Sequence, residues 1–324
     1  MEYRQRGNKH RPPTWSDDDG NPPQRRVSDW GQKISSQSSG AKRLRENLRL
    51  ARPLRILEAH SPLAALLAEE AADRGSEFDG FWSSSLSDST LQGMPDMEIL
   101  SVSERIDTVR PILAVTDKPL IMDGDTGGHN HHFAHIVRKM ERAGVAAVIV
   151  EDKTGVKRNS LLGTHVPQQL ADPEEFGAKI RQGKRAQRDS AFMIIARLEG
   201  LVLDSPMRDV LERADSYVEA GADAIMIHSR AADSGQVVAF AKDFRGKHPD
   251  VPLVCVPTTY GDTPLSELEA AGFSVVIYAN HMLRASAKAM KEVAKAILED
   301  GTTTRAETHC LDLQLVLNNA DVNG

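Results

Sequence analysis

The stretch that decides the fold is "RAGVAAVIVEDK", residues 142–153. Gly144 interrupts a charged, helix-compatible sequence. An apolar run without alternation follows at 147–150, and Glu151 and Asp152 come directly after it. Glycine adopts the left-handed backbone that ends a helix at no steric cost. A strand that is apolar throughout is buried on both faces, as in a parallel sheet covered by helices. The same punctuation returns in "EAGADAIMI", 219–227, and "AAGFSVVIY", 270–278.

Outward from that unit, short apolar runs recur at 54–57, 80–82, 120–122, 147–150, 192–196, 224–227, 253–256 and 274–278. The stretches between them have helical spacing. In "MRDVLERADSYVEAGADAIMIH", for example, Val210, Leu211, Ala214 and Val218 share one face. Eight buried strands alternating with helices predict an α/β fold, a (β/α)8 TIM-type barrel in preference to two open sheets.

The totals agree with one such barrel. The chain has 324 residues, 40% hydrophobic and 27% charged, with a net charge of −6. That balance makes no case for nucleic acid or an anionic membrane as partner. Cys255 and Cys310 have neither zinc-ligand spacing nor a disulfide framework, and no apolar run approaches a membrane span. With no apolar signal-peptide core, these features predict a cytoplasmic protein. Residues 1–40, rich in Pro, Ser, Gly and charge without a period, are expected to form a disordered N-terminal extension. Residues 41–300 are expected to form the catalytic barrel, and 301–324 a C-terminal tail packing on or near it.

In such a barrel, catalytic groups follow the C-terminal ends of the strands. Here those positions carry Glu58-Ala59-His60, Trp82-Ser83-Ser84-Ser85, Asp123-Gly124-Asp125-Thr126 and Glu151-Asp152-Lys153. Further round come Arg197-Leu198-Glu199, His228-Ser229-Arg230 and Asn280-His281. Strand ends meet water and are often polar, but random loops do not so regularly supply acids, an arginine and histidines. Asp123, Asp125 and Glu151 form a hard oxygen cluster suited to Mg2+ or Mn2+. Arg197 and His228, with Lys153 and Lys157, oppose them with the donors that a carboxylate or phosphate substrate requires. The polar segment "EDKTGVKRNSLLG", 151–163, reads as a mobile lid that excludes water.

The segment "PLIMDGDTGGHNHHF", 119–133, poses the alternative of a histidine-bound metal, with His129, His131, His132 and His135 close together. Phe133, Ile136, Val137 and Met140 continue with helical period, which places the histidines in the first turns of a helix. His131 and His135, four apart, could chelate zinc on one face, but no further ligand lies nearby in sequence. The aspartates are therefore read as carrying the chemistry, with His129 nearest to substrate and lid.

Together, "EAH" (58–60), "FWSSSLSDS" (81–89), "GMPD" (93–96), "DGDTGG" (123–128), "EDKTGVKRNSL" (151–161), "IARLE" (195–199) and "ADAIMIHSR" (222–230) resemble the phosphoenolpyruvate mutase family. That family lies within the isocitrate lyase/phosphoenolpyruvate mutase superfamily, and the likeness covers about residues 41–300. The resemblance implies an Mg2+-dependent barrel that interconverts phosphoenolpyruvate and phosphonopyruvate, forming a C–P bond in phosphonate biosynthesis. It implies Asp123 as the most direct metal ligand, with Asp125, Asp96 and Glu151 holding the metal's waters. Trp82, Ser84, Ser85 and Leu86 would line the pyruvyl end, Arg197 and His228 would grip substrate oxygens, and Lys157, Asn159 and Ser160 would close from the lid.

The neighbouring activities differ at identifiable residues. Lyases of the superfamily carry a catalytic cysteine in the lid, and this lid has none. Phosphonopyruvate hydrolases, which give pyruvate and phosphate, carry threonine where the mutases have the lid asparagine, so Asn159 favours the mutase. A non-catalytic metal-binding barrel is the remaining alternative. Two positions depart from the family pattern. Thr154-Gly155-Val156 replaces a common aromatic–proline pair, and Ser85 stands where glycine is common. The family is typically dimeric or tetrameric, with a C-terminal helix exchanged between subunits. The stretch 284–298, with Ala285, Met290, Val293 and Ile297 on one face, is the candidate for that helix.

Overall fold

The computed structural model describes residues 39–73, 75–314 and 316. The extension expected over 1–40 lies outside the described residues as far as position 38. Eight strands close into a barrel. They are β1 Leu54–Glu58, β2 Gly80–Ser83, β3 Leu120–Asp123, β4 Ala147–Glu151, β5 Met193–Leu198, β6 Ala224–Ile227, β7 Leu253–Cys255 and β8 Val275–Tyr278. Every neighbouring pair is parallel, and β1 pairs with β8 to complete the ring. This is the (β/α)8 architecture that the apolar runs predict.

Among the described residues, ten helices accompany the strands: α1 Gly40–Asn47, α2 Pro62–Glu70, α3 Ser85–Leu91, α4 Val102–Val115, α5 Asn130–Ala143, α6 Pro173–Ala186, α7 Met207–Glu219, α8 Gly235–Lys247, α9 Leu265–Ala270 and α10 His281–Asp300. Their starts follow local chemistry. Ser101 accepts from the Glu104 amide while Glu104 reaches back to Ser101, a reciprocal cap that fixes the start of α4. At the end of α5, Gly144 has φ 88°, the left-handed stop read from "RAGV". Phe133, Val137 and Met140 on α5 are fully buried, and α7 buries Val210 and Ala214 with Tyr217. The barrel interior and the inner helix faces thereby form one continuous apolar core.

Two differences from the sequence reading bear on the strand ends. Strand β5 runs to Leu198, so Arg197 lies within the ladder, paired opposite Glu151, instead of just beyond it. The pairing itself fixes the two oppositely charged residues side by side. Second, Glu58 and His60 serve the fold. The Glu58 carboxylate accepts the Leu283 amide at the start of α10 (3.0 Å) and the His60 Nδ1–H (2.8 Å). Beyond α10, residues Ala306–His309 form a short 3-10 turn beside that helix, with Ala306 buried and Arg305 bonded to Glu299 and Asp300. No helix among the described residues is long and apolar enough to cross a membrane.

Candidate active site

At the C-terminal end of the barrel a cavity of about 520 Å³, counted to its open mouth, is ringed by residues from nearly every strand. Trp82, near the end of β2, forms one wall, and Ser84 caps the short helix α3 that begins with Ser85 and Leu86. The first backbone N–H groups of a helix have no partner inside it, so this start presents donors to an anion. Asp123 and Asp96 line another wall, Arg197 and His228 the far side, and Lys157, Asn159 and Ser160 the roof. Thus the residues that the resemblance assigns to substrate and lid reach one cavity. Thr258 and Asn280 join them from the ends of β7 and β8.

The acids are held from behind. Gly124 lets the chain leaving β3 stay close beside β4: a Cβ there would meet Val148 at 2.6 Å and the Ile149 carbonyl at 2.9 Å. Asp125 follows with φ 52°, a left-handed conformation that costs a non-glycine residue about 1 kcal/mol or more. Its amide bonds Asp123 Oδ1 (3.0 Å), and Ser85 Oγ donates to Asp123 Oδ2 (3.0 Å). Burial pushes both carboxyls up, but Arg197 and Lys157 bring Asp123 below its usual range. Burial prevails at Asp125, which stays raised.

The lid segment lies folded over this cluster. Residues Lys153–Thr154 pair antiparallel with Gln169–Leu170 at its base. Lys157 reaches inward, with its ammonium 2.8 Å from Ser85 Oγ, 2.6 Å from Asp125 Oδ1 and bonded to Asp96. Asn159 Nδ2 donates to the other Asp96 oxygen (2.8 Å), and Ser160 Oγ accepts from Arg197 Nη2 (2.6 Å). Lys153 has a different role from the one its charge suggests. It is buried and donates to the Arg158 carbonyl, Ser160 Oγ and Gln168, so it staples the lid instead of facing substrate.

On the far side, Glu199 organises the donors. Its Oε1 accepts from Arg197 Nε (2.5 Å) and lies 2.9 Å from His228 Nδ1. Because a carboxylate only accepts, we assign the His228 proton to Nδ1. Glu199 is held well below the usual carboxylate range: burial opposes ionisation, but Arg197 and His228 outweigh it. Glu151 goes the other way. Burial, only partly offset by Arg197 and Lys153, pushes it up to about 8. Burial lowers His228, which favours neutral imidazole.

The acids have the donor chemistry of a hard divalent cation site, although they do not converge on one point. All donors are carboxylate oxygens, and both Glu151 oxygens are buried without a hydrogen bond. Lys157 and Arg197 partly neutralise the acids by ion pairing. No group of three His, Cys, Asp or Glu converges closely enough to hold a metal among the described residues. The histidine run lies outside the cavity. His129 precedes α5 without capping it, and His131, His132 and His135 are exposed on its first turns. The expectation that His129 approaches substrate or lid is therefore corrected: the tight turn at Gly127 and Gly128 carries the chain away from the rim.

Sequence reasoning passed over buried Arg105, and it named Glu199 at the strand end without giving it a role. A signal existed for Arg105. It lies three residues after Val102 and four before Val109, on the stripe of α4 that otherwise packs inward.

The model of the family described as phosphoenolpyruvate phosphomutase matches residues 44–298. The chain belongs to the phosphoenolpyruvate phosphomutase family. A crystal structure of phosphoenolpyruvate phosphomutase from Streptomyces platensis subsp. rosaceus is 40% identical, with a TM-score of 0.80 over 87% of this chain and 95% of that one. A phosphonopyruvate hydrolase from Variovorax sp. (strain Pal2) is also 40% identical, over 80% of this chain and 87% of its own length. The crystal structure of a phosphonopyruvate hydrolase complex with oxalate and Mg2+ is 34% identical, with a TM-score of 0.78 over 87% of this chain and 95% of that one. Family membership thus brings a shared barrel and enzymatic relatives, while mutase and hydrolase stand equally near.

Proposed function

We propose that this protein is an Mg2+-dependent phosphoenolpyruvate mutase, interconverting phosphoenolpyruvate and phosphonopyruvate by intramolecular phosphoryl transfer. One P–C bond and one P–O bond exchange, and no water is consumed. Asp123, Asp125, Glu151 and Asp96 would hold the ion, whose positive charge would offset the substrate's clustered negative oxygens. The N-terminus of α3 suits the substrate carboxylate, while Arg197 and His228 suit phosphoryl or enolate oxygens. Such loose transfer depends on positioning and charge more than on a strong nucleophile.

The observation that carries mutase over hydrolase is the state of Asp96. One of its oxygens takes the Lys157 ammonium and the other the Asn159 amide. A carboxylate engaged at both oxygens is poorly placed to activate water, and the lid residues roof the cavity from which water must be excluded. The hydrolase reading requires that carboxylate, or another base, to be free.

The decisive experiment incubates the protein with phosphonopyruvate and Mg2+ and follows phosphorus by NMR. Phosphoenolpyruvate is the expected product, whereas pyruvate and inorganic phosphate alone would establish the hydrolase. Asn159→Thr is expected to move the product ratio toward hydrolysis by about tenfold, equivalent to about 1.4 kcal/mol between competing barriers. A C–P product places the reaction at the entry to phosphonate synthesis, where a following step must consume phosphonopyruvate. The outward apolar residues of α10, Met290 and Ile297, are exposed and suit exchange with a second subunit. Light scattering should then report a dimer or tetramer.

A further inference from the structure

We infer that Arg105, outside the cavity on α4, is a positioning residue that holds the Asp123–Asp125 turn in the geometry needed to bind the divalent cation. The inference rests on the proposed role of that acid pair.

Arg105 is 1% exposed, an unusual location for a guanidinium. Its contacts come from three separate elements. Nε donates to Asp88 Oδ2 on α3 (2.8 Å), and Nη2 to the Ser83 carbonyl at the end of β2 (3.3 Å). Nη1 donates both to the Asp123 carbonyl and to Asp125 Oδ2 (3.2 Å). Ser83 Oγ completes the ring by donating to Asp88 Oδ2 (3.0 Å). A planar fork can satisfy these diverging acceptors at once, which a lysine ammonium on its flexible stem cannot.

The consequence falls on Asp125. Its left-handed backbone is unfavourable by itself and persists only where its surroundings over-determine it. Arg105 grips the carbonyl two residues before and the outer carboxylate oxygen of the same turn. With Oδ2 tied back, Oδ1 is the oxygen left facing the lid lysine. Arg105 thus sets which oxygen is offered forward, and its charge offsets part of the repulsion between two adjacent buried carboxylates. An ordinary structural ion pair would stabilise the fold without selecting a carboxylate orientation.

The test uses the full-length protein and two readouts, thermal unfolding for the fold and calorimetric titration with Mg2+ for the site. Mn2+ titration followed by electron paramagnetic resonance provides an independent check on the second. Arg105→Lys keeps the charge but loses the fork, and is expected to weaken Mg2+ binding about ten- to a hundredfold, the range for partners that orient metal ligands. Asp88→Asn reaches Arg105 from the side away from the metal and keeps the packing volume. It should weaken Mg2+ binding in the same direction by a smaller factor, and it tests the inference even if Arg105→Lys does not fold. Folded variants that bind Mg2+ as tightly as the wild type would overturn the inference alone. A wild type that binds no Mg2+ would overturn the functional reading beneath it, and the inference with it.

Discussion

The two ends of the barrel carry similar residues in opposite states. At the N-terminal end, Asp79 before β2 receives two bonds from Arg52 (2.8 and 2.6 Å) and one from the Arg55 amide (2.8 Å). Asp223 before β6 is bonded by Arg45, Lys184 and the Ile194 amide, with both oxygens used. At the C-terminal end, Glu151 and Glu199 are buried more deeply, yet oxygens on each accept no hydrogen bond. Among the described residues, the three non-glycine residues with positive φ are Asp125 and Asp204, in the connections after β3 and β5, and Glu98, between α3 and α4, whose carboxylate accepts the Thr126 amide. Titration reflects the contrast. Burial pushes the Asp79 carboxyl up, but Arg52 and the Arg55 amide bring it below its usual value, whereas Glu151 is left pushed up to about 8. Acid–cation clusters with every bond satisfied stabilise the fold, while those left incomplete and strained are poised for a ligand.

The contrast can be broken by exchanging the damage. Asp123→Asn should lower turnover by about 10³-fold or more, since a divalent ion's charge is worth several kcal/mol in such a transition state. Its melting temperature should fall less than that of the next variant, because the isosteric amide keeps the bond from the Asp125 N–H although it gives up attraction to Arg197 and Lys157. Steady-state kinetics beside thermal denaturation decides the point, and a large loss of stability with retained turnover would invert the assignment of the two ends. Asp223→Ala should do the opposite. Leaving Arg45 and Lys184 without their largely buried partner should cost about 3 kcal/mol of stability, with turnover of the folded protein unchanged.

A third prediction concerns pH. With its carboxyl raised above the usual 4.5, folded Glu151 keeps a proton that the unfolded chain has released between about 4.5 and 8. The resulting stability is fully present below that window and is lost as pH rises through it. The metal-free wild type should therefore lose melting temperature from pH 5 to 8.5 relative to Glu151→Gln, by a few degrees. Parallel curves for the two proteins would show that Glu151 is not raised. The smallest effect is expected from His131→Asn with His135→Asn. Both histidines are exposed outside the cavity, so turnover should stay within about twofold, as surface changes are nearly neutral. A larger drop would give the histidine run a part in the chemistry.

How much of this was legible varied from residue to residue. The strands could be read because burial on both faces demands continuous apolar runs, and glycine marks where each helix stops. Asp123, Glu151, Arg197 and His228 could be placed because a barrel strand delivers its last residues to one rim. Lys153 could not be placed, since a lysine after a strand looks alike whether it meets substrate or folds back to hold Arg158 and Ser160. Glu58 was ambiguous in the same way, turning to the α10 amide instead of the cavity. Arg105 had a signal in the stripe of α4, but which acids it meets depends on how α4 packs over β2 and β3.

By itself, then, the sequence determined the barrel, the end that carries the chemistry and the residue types there, because these follow from local periodicity and chain geometry. Only the tertiary structure decided the partners. It set Lys157 and Asn159 on Asp96, the Glu199 carboxylate between Arg197 and His228, and Arg105 behind the aspartates. Those pairings join residues far apart in the chain, and their electrostatics depend on burial and on distances of a few ångströms, which no linear pattern encodes.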